Sequence, residues 1–217
     1  MNKPCAYCGM TDTPRHKGHV VSKCLYPSTT PGDIQRPTVP ECENCQTLWT
    51  DAETQFRNIL VLAGEQNHAT KETWETMQRS FTKPSGKRWV QDIFESMTEV
   101  SADDGARYMV HPHKDARVNL VLRKIVRGLS AYHNLRDCVP DDHVWVGIPP
   151  ANFPDEFMRY DLGAGFFQYG IALFETDLGI DADSGWLMRF YGTREFIGVV
   201  ANSAEKKLEI ASHFDAS

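Results

Sequence analysis

Four of the six cysteines stand in two identical steps, Cys5-x-x-Cys8 and Cys42-x-x-Cys45. Each step lets two thiolates reach one ion from a tight knuckle, and four thiolates match the soft tetrahedral set that zinc prefers. Gly9, directly after the first pair, permits the left-handed backbone such a knuckle needs. Disulfides are the competing use. The opening MNKPCAYCG has no apolar leader core, so a reducing cytoplasm is expected, where metal ligation wins. A knuckle, an extended pair of strands and a second knuckle running into a helix make a treble-clef arrangement. Zinc there is structural, because its coordination is full. Cys24 and Cys138 are left over as packed or free thiols.

Between the two pairs lies one histidine in an apolar step, His19-Val20-Val21. A lone histidine in such a stretch is usually a hydrogen-bonded packing residue. Its neighbours give it another meaning. The order CxxCG, a spacer, H-V-V-x-K, then TVPECENC and W-T-D-A-E-T-Q-F-R resembles the HNH endonuclease superfamily with its zinc-bound ββα-metal fold. More narrowly, it is similar to a group of bacterial HNH proteins. The likeness covers residues 4–57, with weaker echoes at Lys124-Ile-Val-Arg-Gly-Leu129, Trp186, Phe190-Tyr-Gly192 and Phe196.

The resemblance implies metal-assisted phosphodiester hydrolysis, with DNA, or else RNA, as the partner. His19 would take a proton from the attacking water, a task suited to an imidazole whose ordinary pKa lies near 6.5. Mg²⁺ or another divalent ion would sit beside it. Three positions depart from the family pattern. The acid that precedes the histidine is Gly18, the Asn after the fourth cysteine is Gln46, and the strand Pro is Ser22. Glycine has no side chain to offer a metal, so replacement ligands are sought in His16, Gln46, Asp51 and Glu53. A rival reading follows from the same departures: a catalytically degenerate zinc module that binds nucleic acid or protein, such as a subunit of a bacterial defence or mobile-element system.

Charge is unevenly spread. The net −6 divides into +3 over residues 1–40, −6 over 41–106, +6 over 107–136 and −9 over 137–217. A phosphate backbone would meet the first and third blocks. Arg15, Lys17 and Lys23 flank the histidine. Arg117, Arg123, Lys124 and Arg127 lie largely off the apolar face of a predicted helix at 116–132 and would hold phosphates without reading sequence. The acidic end would be a protein-partner surface. No apolar run approaches the eighteen or so residues a membrane span needs, and no G-x-x-x-x-G-K-[ST] phosphate cradle occurs.

The elements that must position these groups read as an α+β chain. Residues 1–66 form the zinc unit, 67–136 a helical region and 137–217 a β-rich acidic region, in separate domains or packed as one. Helical spacing of Ala52, Phe56, Ile59, Leu60 and Ala63 predicts a helix over 51–63, with a Thr50/Glu53 capping box or an earlier start at the second cysteine pair. Further helices are predicted at 70–79 and 87–100, separated by Lys83-Pro84-Ser85-Gly86, the second closed by 101–105. Strands are expected at 144–148, 166–174, 186–191 and 195–201, with turns at 163–165 and 192–194. Residues 203–217 read as a short helix or a tail. The pair His111 and His113 has chelating spacing, but the proline between them favours an extended loop.

Overall fold

The structure, a computed structural model, describes residues 3–62, 66–101, 103, 105–112, 114–149, 154–163, 165–174 and 181–215. Ala63, Ala102, Asp104, His113 and Ala164 lie outside the described residues.

The chain is mixed α and β. Strand β1 (Arg15–His19) pairs antiparallel with β2 (Thr38–Cys42), and β2 runs directly into α1 (Glu43–Leu62). The early helix start is therefore the one adopted. Thr50 does not cap the helix: its hydroxyl donates to the Gln46 carbonyl one turn back, at 3.1 Å. Helix α2 (His68–Phe81) opens with a reciprocal pair, in which the Thr70 N–H donates to the Asn67 side chain at 3.1 Å and the Asn67 N–H to the Thr70 hydroxyl at 2.8 Å. Helix α3 (Pro84–Ser96) takes Pro84 into its first turn, where a missing N–H costs nothing. It stops four residues short of its predicted end. Residues 98–101 instead form β3 (Thr98–Ser101), a hairpin partner of β4 (Arg107–Val110).

Helix α4 (Ala116–Tyr132) is capped by Asp115, whose carboxylate accepts the N–H groups of Arg117 at 2.8 Å and Val118 at 3.3 Å. It ends at His133, and Asn134 follows in the left-handed region at φ 56°. The β-rich end is a five-stranded antiparallel sheet in the order β5-β9-β8-β7-β6. Its strands are β5 (Val144–Gly147), β6 (Tyr160–Asp161), β7 (Phe167–Leu173), β8 (Ala182–Phe190) and β9 (Arg194–Ala201), and α5 (Ala204–Asp215) closes the chain. The predicted strand at 186–191 thus begins earlier and ends one residue sooner. Tyr191, at φ 49°, and Gly192, at φ 74°, form the turn into β9.

Period-two alternation assigns the sheet's two faces. Val144, Val146 and Val200 join the main core with α4, while Trp145 and Val199 face α5, where Trp145 stacks on Phe214 with centroids 4.4 Å apart. On β7, Phe167 and Tyr169 are buried as expected, but Leu173 at the strand end is exposed. One contiguous core runs from Cys5 and Cys42 through Phe56, Val126 and Trp186 to Val200, so all three predicted segments share it. The last hairpin is riveted to the first half of the chain. The Tyr191 hydroxyl donates to the Leu25 carbonyl at 2.7 Å, and the Arg194 Nε to the Leu60 carbonyl at 3.0 Å.

Candidate metal centre and adjoining cleft

The four predicted thiols converge. Their sulfurs all lie within 4.8 Å of one another, with Cys5 to Cys45 at 3.9 Å and Cys8 to Cys42 at 3.7 Å. Sulfurs each 2.3 Å from one tetrahedral ion lie about 3.8 Å apart, so the quartet fits zinc as it stands. Among the described residues this is the one group of three or more His, Cys, Asp or Glu donors that closes up in this way.

Local backbone builds the first knuckle. The Gly9 N–H returns to the Cys5 carbonyl at 2.9 Å, with Gly9 at φ +72° as its position predicts. The Ala6 N–H reaches the Pro40 carbonyl at 2.8 Å, tying the knuckle to β2. Burial works against ionising Cys5, but the backbone N–H groups of Tyr7, Cys8 and Cys42 outweigh it and hold the thiol down to about 7. Arg15 braces the same loop, donating to the carbonyls of Met10 at 3.2 Å and Thr11 at 2.7 Å. Cys24 and Cys138 are free and partly buried.

Beside this centre lies a cleft of about 330 Å³. Its walls include Lys17, Gly18 and His19 from β1, Lys23, Glu41 from β2, Gln46, Trp49 and Glu53 from α1, and Lys124 from α4. His19 is neither sealed nor fully exposed, and its Nδ1 is buried with no hydrogen-bond partner. Burial, then the charges of Lys23, Arg36 and Lys124, push its pKa below 6.5, with Glu53 opposing. The ring is therefore neutral at neutral pH and able to accept a proton.

Lys124 crosses from α4 to close the cleft. Its ammonium donates to the His19 carbonyl at 3.0 Å and forms an ion pair with Glu53. Glu53 is thus ion-paired through Oε1 while still lining the cleft, and Lys124 is 3 % exposed, which corrects its expected place as a surface cation. Arg127 is likewise buried, donating to the carbonyls of Tyr7 and Val139 and pairing with Asp141. Arg123 also pairs with Asp141, and Arg117 with Asp115 and Gln55. The predicted basic face of α4 is thus largely paired: Lys124 and Arg127 are buried, and the half-buried Arg117 and Arg123 meet carboxylates at Asp115 and Asp141.

The other sought ligands divide. Gln46 lines the cleft; Asp51 is exposed and does not. His16 lines a neighbouring groove with Arg15 and Lys17, and its Nε2 stands 3.6 Å from Glu41 Oε2. His111 is taken by Asp115 at 3.1 Å and Ser96 at 3.3 Å. Glu41 is the cleft residue that sequence reasoning passed over. Its signal was an acid directly before the third cysteine, on a strand that must lie beside His19.

No family model, curated protein or solved structure matches this chain. No helix among the described residues is long and apolar enough to cross a membrane.

Proposed function

We propose that this chain is an HNH-type endonuclease, hydrolysing phosphodiester bonds of DNA, or else RNA. The observation that supports the reading best is the cleft itself. A neutral imidazole with an orphan buried nitrogen stands beside a buried carboxylate, next to four thiols at zinc spacing. Zinc held by Cys5, Cys8, Cys42 and Cys45 pins the hairpin against the start of α1 as a treble clef. His19 accepts the proton of the attacking water. Lys17 and Lys23 on the cleft wall meet the phosphates, and buried Lys124 adds positive potential from below. A divalent ion such as Mg²⁺, when bound, supplies charge stabilisation for the leaving oxygen. The acidic end of the chain faces a protein partner rather than nucleic acid.

Nicking of supercoiled plasmid by the zinc-loaded protein in Mg²⁺ tests the reading. His19→Ala is expected to lower the rate by about 10²-fold or more. Because the His19 pKa is depressed, the acid limb of the wild-type rate should have its midpoint below pH 6.5. Equal cutting by wild type and His19→Ala would remove the catalytic reading.

A second reading, a zinc module that binds without cutting, is favoured by Gly18, which carries no carboxylate, and by the Lys124–Glu53 pair. Retarded DNA migration with no nicking under any divalent ion would support it.

A further inference from the structure

The cleft holds two carboxylates and one buried ammonium. Lys124 bonds directly to Glu53 and to the His19 carbonyl, so its charge favours the ionised Glu41 only at longer range, while burial and the charge of Glu53 oppose it. Glu41 is 3 % exposed. Its Oε2 faces the half-exposed His16 ring at 3.6 Å, and its Oε1 is cut off from solvent with no hydrogen bond of good geometry, the Trp49 indole N–H favouring the carboxylate without satisfying it. A buried carboxylate oxygen left unpaired is rare and costly.

Gly18 gives an independent observation. In the hairpin register Gly18 faces Val39, and His16 faces Glu41, so positions 18 and 41 are diagonal neighbours on one face. A Cβ built on Gly18 would lie 2.6 Å from the Glu41 Cβ and 2.7 Å from its Cδ, and closer still to Oε2. Carbon atoms do not approach so closely. The space in which a side chain at 18 would begin is the space that the Glu41 side chain fills.

We propose that Glu41 anchors the divalent cation of this cleft, standing in from the opposite strand for the acid that position 18 lacks. The proposal rests on the HNH reading above. Hard oxygen donors suit Mg²⁺ and Mn²⁺, which keep several waters and need only one or two protein carboxylates. Gly18 and Glu41 are then one exchange: the carboxylate has moved across the hairpin, and glycine at 18 makes room for it.

The test uses Mn²⁺ as probe on the full-length, zinc-loaded chain, with binding followed by electron paramagnetic resonance. Wild type is expected to take up one exchangeable Mn²⁺ besides its zinc. Glu41→Gln, which keeps the shape of the side chain, should weaken that binding at least tenfold with zinc content unchanged. Gly18→Asp should also weaken it, because the new side chain collides with Glu41. The double variant Gly18→Asp/Glu41→Gly, which removes the Cβ at 41 as well as the carboxylate, should restore affinity to within a few-fold of wild type. Absence of an exchangeable Mn²⁺ in the wild type, or wild-type affinity in Glu41→Gln, overturns the proposal. Should the double variant fail to fold, Glu41→Gln alone decides. Plasmid nicking run in parallel separates the two readings. Nicking with Mn²⁺ affinity indifferent to Glu41 would spare the endonuclease and remove this proposal; Mn²⁺ held through Glu41 with no nicking would do the reverse.

Discussion

At the scale of single residues, Lys124 connects the cleft to the rest of the fold. Removing it leaves Glu53 charged and buried without its cation, and strips the His19 carbonyl of its donor. Breaking one side of such a pair typically costs about 3–5 kcal/mol. Lys124→Met is therefore expected to lower the urea midpoint sharply. Lys124→Met/Glu53→Gln should recover a large part of the loss, because no charge is then stranded. Additive losses in that double variant would show the pair to be unimportant. The residue types of the site were open to reading from the chain: four cysteines at chelating spacing and one histidine between them. Their partners were not. Lys124 and Glu53 are 71 positions apart, and nothing local marks a lysine as one that will be buried. Glu41 was missed for a related reason, since its importance comes from the hairpin register rather than from its own neighbours.

At the scale of elements, α4 was the easiest to anticipate, because its apolar face repeats at helical spacing over its whole length. Its N-terminal cap gives a quantitative expectation. Burial would raise the Asp115 carboxyl, but the Arg117 guanidinium and the N–H groups of Arg117 and Val118 hold it down to about 2, against an ordinary 3.8. A folded pKa below the unfolded one means the stabilisation is complete above 3.8 and drains away as pH falls through about 2. Its size is about 2 kcal/mol. Asp115→Ala should lose that much in a denaturant titration at pH 7, and the gap between variant and wild type should narrow below pH 3.8. A gap that stays constant with pH would mean the charge is not what stabilises the cap. The element read wrongly, β3, shows where periodicity stops being informative. All four of its residues are exposed, so no alternation of burial distinguishes Thr98–Ser101 from the end of a helix.

At the scale of the whole molecule, composition divides the chain into three stretches, while packing joins them. The thiol-bearing Cys5, Cys42 and Cys45 belong to the same core as Phe56 of α1, Val126 of α4 and Trp186 of the sheet. Which buried faces meet is a tertiary matter that no local pattern encodes. A metal seated in such a core should stabilise all of it. Elemental analysis is expected to find one zinc per chain. Stripping it with a strong chelator should move a single calorimetric transition to lower temperature. Two independent transitions, with only one sensitive to the chelator, would show that the zinc unit folds by itself.

The bond from Tyr191 to the Leu25 carbonyl spans 166 positions of chain. A ribosome releases the cysteine knuckle early, yet the lysine that closes the cleft comes much later and the tyrosine that ties the last hairpin to Leu25 later still. Order of emergence thus acts as a timer: the cleft cannot close before Lys124 appears, and the sheet cannot be tied to Leu25 before Tyr191 does.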